Sequence, residues 1–311
     1  MDQCLLVPQH AYDNQERFLI GHEMHAEYQG RVWTNHSPRT PIKKGICVFG
    51  QGDANWYHWI AEFIPLALLS QRLPAAYKDF PLLVPQATLE FPSFKDILDL
   101  CRGDRSVTVL QDGQQYRVNQ LVYIPPPVSG PFNMRDNQWP EPRDYIQNIG
   151  VMRLLRDTVL AELGISRTSD GPRKVFLARR PGARSYNQDE IIAAAVSREF
   201  EPVLMETLSF REQVQLIHNA DYVAGPSGAA FANTLFMKPG SRSLCWTFRQ
   251  YEGACVFSNL AHMAGSCMQY CFVEAEQKLT NTCDAFSASY TLPVETFCHH
   301  LDTLLNEPAL T

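Results

Sequence analysis

The chain has 311 residues, 45% of them apolar and 19% charged, an ordinary globular composition spread over more length than one average domain uses. Two domains are therefore expected. A formal net charge of −6 leaves no basic stripe for a polynucleotide backbone and excludes nucleic acid as a partner, whereas an anionic small molecule needs only a few well-placed arginines and helix N-termini.

Nine cysteines are present without a CxxC pair, several inside apolar runs, which points to free thiols in a reducing compartment. Cys267 and Cys271 lie four apart with no second pair at zinc-ligand spacing, so no metal is expected. The opening MDQCLLVPQH has neither a basic segment nor a long apolar core, and no apolar run reaches ~18 residues. A cytoplasmic protein is expected, with peripheral association at the inner face of the membrane as its one contact with lipid.

In chain order, 45–49 reads as a strand, followed by a Gly-bearing turn and a helix over 55–72, with further strands at 80–84, 106–110 and 119–123. Proline then dominates from 124 to 142 and sets the boundary between an N-terminal lobe, 1–142, and a C-terminal lobe, 143–311. A helix over 144–163, closed by Gly164, is predicted as the connector. Beyond Arg173, strands at 174–178, 202–205, 221–224, 243–247 and 269–273 alternate with helices over 188–200 and 210–219, one opening near Gly228 and one across 253–264. Such alternation makes βαβ units and parallel sheets, an α/β fold whose ligands bind at the carboxyl ends of the strands. A last amphipathic helix carries Cys298, His299 and His300 at its surface.

Three segments have the residues for chemistry. In the run Val223 to Asn233 a strand enters a Gly-bearing loop and then a helix, so backbone can approach a ligand closely and amides at the helix start can receive phosphate oxygens; a tight turn without a ligand is the alternative. This loop is neither GxGxxG nor a Walker A sequence, and Gly225-Pro-Ser-Gly228 is not a G-x-S-x-G elbow. In Leu177 to Asn187, Arg179 and Arg180 stand at the carboxyl end of a predicted strand, where guanidinium forks suit phosphate and would stabilise a departing diphosphate. A solvated basic loop is the alternative there. In Gly50 to Pro65, His58 and Glu62 are four apart on one helix face, able to take a proton from a hydroxyl, with Asp53 close in sequence; a core histidine in an aromatic helix is the alternative. His22-Glu-Met-His25 is one residue short of HExxH and does not predict a zinc protease.

These residues together resemble glycosyltransferase family 61, which includes bacterial polysaccharide enzymes and eukaryotic xylosyl- and N-acetylglucosaminyltransferases. The resemblance is carried by the strand ending in Arg179-Arg180, then Asn187, Glu206 to Ser209, Gln213, Gly225-Pro-x-Gly-Ala with Asn233, Phe236 and Pro239-Gly240, and by Asn55-x-x-His58-Trp59-x-x-Glu62-x-x-Pro65. It implies a GT-B architecture of two Rossmann-like lobes facing a cleft, and inverting, metal-independent transfer without a cofactor. The donor would be a nucleotide sugar, with UDP favoured, and the acceptor a glycan or glycolipid in capsule or lipopolysaccharide synthesis. Arg179 and Arg180 would contact phosphates. Asn187, Glu206, Ser209 and Gln213 would shape the nucleotide pocket. Gly225, Pro226, Ser227, Gly228, Ala229 and Asn233 would cradle pyrophosphate and sugar on the C-terminal lobe. The acceptor would bind the N-terminal lobe, where His58 or Glu62, with Asp53 third, would supply the base. Ser227 departs from the family, which often has His there. The competing readings are a sugar-nucleotide epimerase on the same fold and a non-catalytic carbohydrate-binding subunit of a polysaccharide assembly.

Overall fold

The computed structural model describes residues 24–28, 31–34, 39–112, 114–130, 137–168, 170–182, 184–280, 284–286 and 288–306. His22, Cys4 and Cys283 lie outside them. The chain divides into two compact units, Met1–Arg135 and Asp136–Thr311, and each is a mixed α/β unit with a parallel sheet.

The first unit opens with an antiparallel pair, β1 (Met24–Tyr28) and β2 (Arg31–Thr34). Its main sheet contains β3 (Thr40–Cys47), β4 (Leu82–Pro85), β5 (Val107–Leu110) and β6 (Tyr116–Val122), all parallel, in the order β5-β4-β3-β6. The chain winds outward from β3 to β5 and then returns to β6 on the other side, which puts the topological switch point between β3 and β6. β4 is buried along its whole length, as its unbroken apolar run requires of a central parallel strand. Helix α1, residues 56–70, follows β3, and helix α2 (Pro92–Cys101) leads into β5. Trp59 joins the two helices: its ring stacks on Phe94 at 5.2 Å and its Nε1 donates to the Phe94 carbonyl at 3.1 Å. The buried guanidinium of Arg105 donates to the carbonyls of Ser70, Tyr77 and Phe80, fixing the helix-to-strand turns by charge-assisted bonds.

The second unit contains β7 (Lys174–Leu177), β8 (Glu201–Val203), β9 (Tyr222–Pro226), β10 (Arg242–Phe248) and β11 (Cys267–Val273), all parallel, in the order β8-β7-β9-β10-β11. Its switch point lies between β7 and β9. The unit also holds helices α3 (Ile149–Glu162), α4 (Gln188–Val196), α5 (Phe210–Asn219), α6 (Val256–Met263) and α7 (Val294–Asn306). One face of the sheet buries Phe176, Ala224, Leu244 and Trp246 against Ile191 of α4 and Phe297 and Leu301 of α7. α3 packs on α6 and on the 229–236 helix.

Several element ends differ from the sequence expectation, each for a local reason. The helix expected from 144 begins at Ile149, because Pro142–Asp144 closes its own single turn through the Glu141 and Asp144 capping box, and Asn148 then caps α3 by accepting from the Val151 N–H. α4 ends at Val196 rather than 200, where Glu199 takes a positive φ. α6 starts at Val256, because Gly253 is pressed against the Pro140 carbonyl and stays in the loop. The helix opening near Gly228 is a 3-10 helix over Ala229–Phe236, not an α-helix. No helix among the described residues is long and apolar enough to cross a membrane.

Candidate functional site

In the second unit the switch point brings together the two segments singled out from sequence. Arg179 leaves β7 two residues after Leu177, and Ser227 and Gly228 leave β9 immediately after Pro226. The two strands approach closely because residue 225 is glycine: a Cβ there would sit 2.8 Å from Leu177 Cβ and 3.0 Å from its carbonyl oxygen. Gly225 therefore lies inside β9, and its contribution is room for the neighbouring strand. The Ser227 N–H continues the sheet by donating to the Trp246 carbonyl at 2.8 Å.

The Ser227 carbonyl receives two guanidinium groups, Arg179 Nη2 at 2.7 Å and Arg184 Nη1 at 3.3 Å. Arg179 also donates to the Arg184 carbonyl at 3.3 Å. Burial, with the Arg179 charge adding to it, pulls Arg184 down to about 10. Arg184 adopts a positive φ of 58°, a conformation uncommon for a non-glycine residue, and it carries the guanidinium onto the loop. A Cβ at Gly228 would stand 3.0 Å from Arg179 Nη2, so the glycine leaves space for that group. Two like charges converging on one carbonyl repel each other, and an anion placed between them relieves the repulsion. Residues 179–182 and 184–190 line a cleft of about 470 Å³, with Arg179, Arg180, Arg184, Tyr186 and Gln188 on its wall.

The remaining predicted residues take distinct places around this centre. Arg180 is exposed and pairs with Glu206 at 3.0 Å. Asn187 spends its amide on the Leu292 backbone, donating to the carbonyl and accepting from the N–H, both at 3.0 Å. Ser209 caps α5 in a capping box with Glu212. Gln213 and Asn233 are 5% and 0% exposed, joined at 3.4 Å where α5 meets the 229–236 helix. Pro226 is the buried end of β9, and Ala229 opens the 3-10 helix. Arg184 and Gln188 were missed as site residues from sequence. The signal for Arg184 was a third basic residue beyond a Pro-Gly turn, whereas Gln188 gave none, being one polar residue at a helix start.

In the first unit the carboxyl end of β3, beside that unit's switch point, leads into the second constellation. Asn55 caps α1 by accepting from the Tyr57 N–H at 2.9 Å. His58 and Glu62 meet as their spacing predicts, Nδ1 to Oε1 at 2.8 Å. Glu62 is 5% exposed and lies in a π-helical turn, Trp59–Phe63, where the Ile64 N–H reaches back five residues to the Trp59 carbonyl. Pro65 explains the widened turn, since it offers no N–H and its ring crowds the carbonyl four residues before it. A carboxylate facing Nδ1 favours the imidazole tautomer that carries its proton there and its lone pair on Nε2.

Gly52 makes this arrangement possible. Its φ of +80° is left-handed, and a Cβ there would lie 2.7 Å from the His58 ring. Asp53 follows in the same turn, its Oδ2 accepting from the Gly50 N–H at 3.2 Å. Burial pushes the Asp53 carboxyl up to about 6, a rise that the Gly50 N–H moderates and the Asp112 carboxylate reinforces.

Cationic side chains stand at the switch point of one parallel α/β unit and a histidine–carboxylate pair beside that of the other, side-chain types that enzyme sites commonly use. The chain is matched over residues 56–244 by the family model for glycosyltransferase 61. It belongs to that family and is a glycosyltransferase, acting on a sugar donor and an acceptor. No curated protein matches the chain.

Proposed function

We propose that the protein is an inverting, metal-independent glycosyltransferase of GT-B architecture that moves a sugar from a nucleotide sugar, a UDP-sugar by preference, to a glycan or glycolipid acceptor in capsule or lipopolysaccharide synthesis. The second unit holds the donor and the first supplies the base. The observation that carries the reading is the convergence of Arg179 and Arg184 on the Ser227 carbonyl at the switch point, the place where open α/β sheets bind phosphate-bearing ligands. Arg179, Arg184 and Arg180 take the diphosphate, and Gly228 and Ala229 lie against the sugar. Glu206 shapes the nucleotide pocket, and Asn187, Ser209, Gln213 and Asn233 hold its walls.

In the reaction the acceptor hydroxyl oxygen forms a bond to the anomeric carbon as its proton passes to His58 Nε2. The bond from that carbon to the diphosphate oxygen breaks, and its electron pair leaves with the diphosphate, where the arginines stabilise the growing charge. Glu62 orients the imidazole and balances the imidazolium. Asp53 stands in the preceding turn as a second carboxylate of the same site.

Thermal shift with a panel of nucleoside diphosphates tests the donor, because a ligand bound by the native state alone raises stability. UDP is expected to raise Tm in the wild type and to raise it by clearly less in Arg179→Ala. An equal response to every nucleotide, or to none, overturns the donor assignment. Incubation with UDP-sugars alone separates transfer from epimerisation: a new UDP-sugar identifies an epimerase, and slow hydrolysis at most is expected here.

A further inference from the structure

We infer that Gln188 is a positioning residue for the donor site, fixing the Arg179 main chain so that its guanidinium is aimed before the donor arrives. The inference rests on the reading of Arg179 as a phosphate contact.

Arg179 lies past the last paired residue of its strand. Ala178 still donates to the Val203 carbonyl of β8 at 2.9 Å, but the next peptide groups have run off the end of the sheet. The side-chain amide of Gln188 takes the place of a neighbouring strand: the Arg179 N–H donates to Oε1 at 2.8 Å, and Nε2 donates to the Arg179 carbonyl at 2.9 Å. Both backbone groups of one residue are thus satisfied by one side chain, which leaves the Cα–Cβ direction of Arg179 little freedom. Gln188 is itself held, because it is the first residue of α4 and its Oε1 also accepts from the Tyr186 hydroxyl at 3.2 Å.

The two bonds form a neck that ties Arg179 to Gln188, and so the strand end to the start of α4. A second tie lies next to the first, the Asn187 amide on the Leu292 backbone, and Ser185 is joined to the same C-terminal segment, its carbonyl accepting from the Tyr290 N–H at 3.1 Å. With the neck formed, Arg179 and Arg184 reach one acceptor, the Ser227 carbonyl. An arginine released from the neck would spread over many rotamers and would have to be ordered by the donor, at the cost of affinity. The inferred role is therefore preorganisation, with Gln188 acting through Arg179.

The test uses the whole chain and three variants: Gln188→Met, which keeps the volume and the helix propensity but removes both bonds; Arg179→Ala; and the double variant. Calorimetric titration with UDP and with inorganic pyrophosphate is expected to give an increase in Kd of about tenfold for Gln188→Met, equivalent to about 1.4 kcal/mol. The double variant is expected to bind no more weakly than Arg179→Ala alone, since the clamp acts only through Arg179. Donor KM should rise in proportion while acceptor KM stays unchanged, a split that general destabilisation would not produce. Hydrogen exchange at the Arg179 amide, measured without ligand, should speed up in Gln188→Met. An unchanged Kd in Gln188→Met, or a double variant in which the two losses add, overturns the inference. A wild type that binds neither probe, alongside a silent Arg179→Ala, overturns instead the donor-site reading, and the exchange measurement still reports whether the clamp exists.

Discussion

The two units solve a similar topological problem with different materials. Each presents a cluster of ionisable side chains at the carboxyl end of a parallel sheet beside its switch point. In the first unit the proposed base and its partner are mounted on a helix, where His58 and Glu62 share a face through regular spacing and a buried carboxylate holds the ring. In the second the charged groups sit on a loop, and their placement depends on contacts far apart in sequence: Arg179 with Ser227, Asn187 with Leu292. The difference teaches that a helix imposes geometry on a short sequence pattern, whereas a loop acquires geometry from whatever holds it.

That contrast can be broken or sharpened by experiment. The largest effect is expected in the first unit. His58→Ala should lower the rate of transfer roughly 10²–10⁴-fold, the usual range for removal of a general base, with donor affinity unchanged in a binding titration. Glu62→Gln, which keeps an acceptor for Nδ1 but removes the charge, should cost about tenfold, in line with the gap between charged and neutral hydrogen bonds. Near-normal transfer in both variants would remove the helix-mounted pair from the mechanism.

The next effect tests the second unit's framework. Gly225→Ala places a methyl 2.8 Å from Leu177 Cβ and 3.0 Å from its carbonyl, so β7 and β9 must separate. Overpacking of this kind costs about 1–3 kcal/mol, which in a domain of this size lowers Tm by roughly 3–10 °C. A scanning-calorimetry trace superimposable on wild type would show that the strands yield more easily than close packing allows.

Asp53 gives a smaller and pH-dependent effect. Its carboxyl is raised to about 6 by burial, with Asp112 adding to the rise, against an ordinary value of 3.8. Between about pH 4 and 6 the folded chain holds a proton that the unfolded chain has released, so this residue's contribution to stability falls as pH rises through that window and stays unfavourable above it. Asp53→Asn should be more stable than wild type at pH 7 by about 1–2 kcal/mol, after allowance for partial solvent screening. The advantage should shrink to nothing below pH 4 in denaturant titrations, and a constant difference at every pH would contradict the cause assigned.

The smallest effect concerns Arg180 and Glu206, 62% and 46% exposed. Exposed pairs contribute about 0–1 kcal/mol, so Glu206→Gln should lower Tm by no more than about 3 °C. A larger fall would mean that the pair does structural work that its exposure argues against.

The parallel α/β character was legible in the sequence because short apolar runs at β4, β7 and β9 alternate with amphipathic segments, and period and length alone separate the two. The His58–Glu62 contact was legible for the same reason: four residues make about one helical turn. The π turn under it was not, although Pro65 was its cause, because a proline can equally end a helix, kink it or widen it. Gly225 was read as part of a ligand loop and is found inside β9, since sequence does not tell whether a glycine makes room for a ligand or for a neighbouring strand.

By itself the sequence determined the parallel strands and most of the helices of the second unit, where the His58–Glu62 pair lies, and that cationic groups stand at a strand end. Each of these follows from spacing within a few residues. Only the tertiary structure decided the order of the strands, hence where the switch points fall, which carbonyl gathers Arg179 and Arg184, and that Gln188 ties the Arg179 strand end to α4. The physical reason is that these contacts join residues separated by a sheet crossover or a loop closure, whose partners are chosen by packing and by the need to satisfy every backbone group the sheet leaves unpaired.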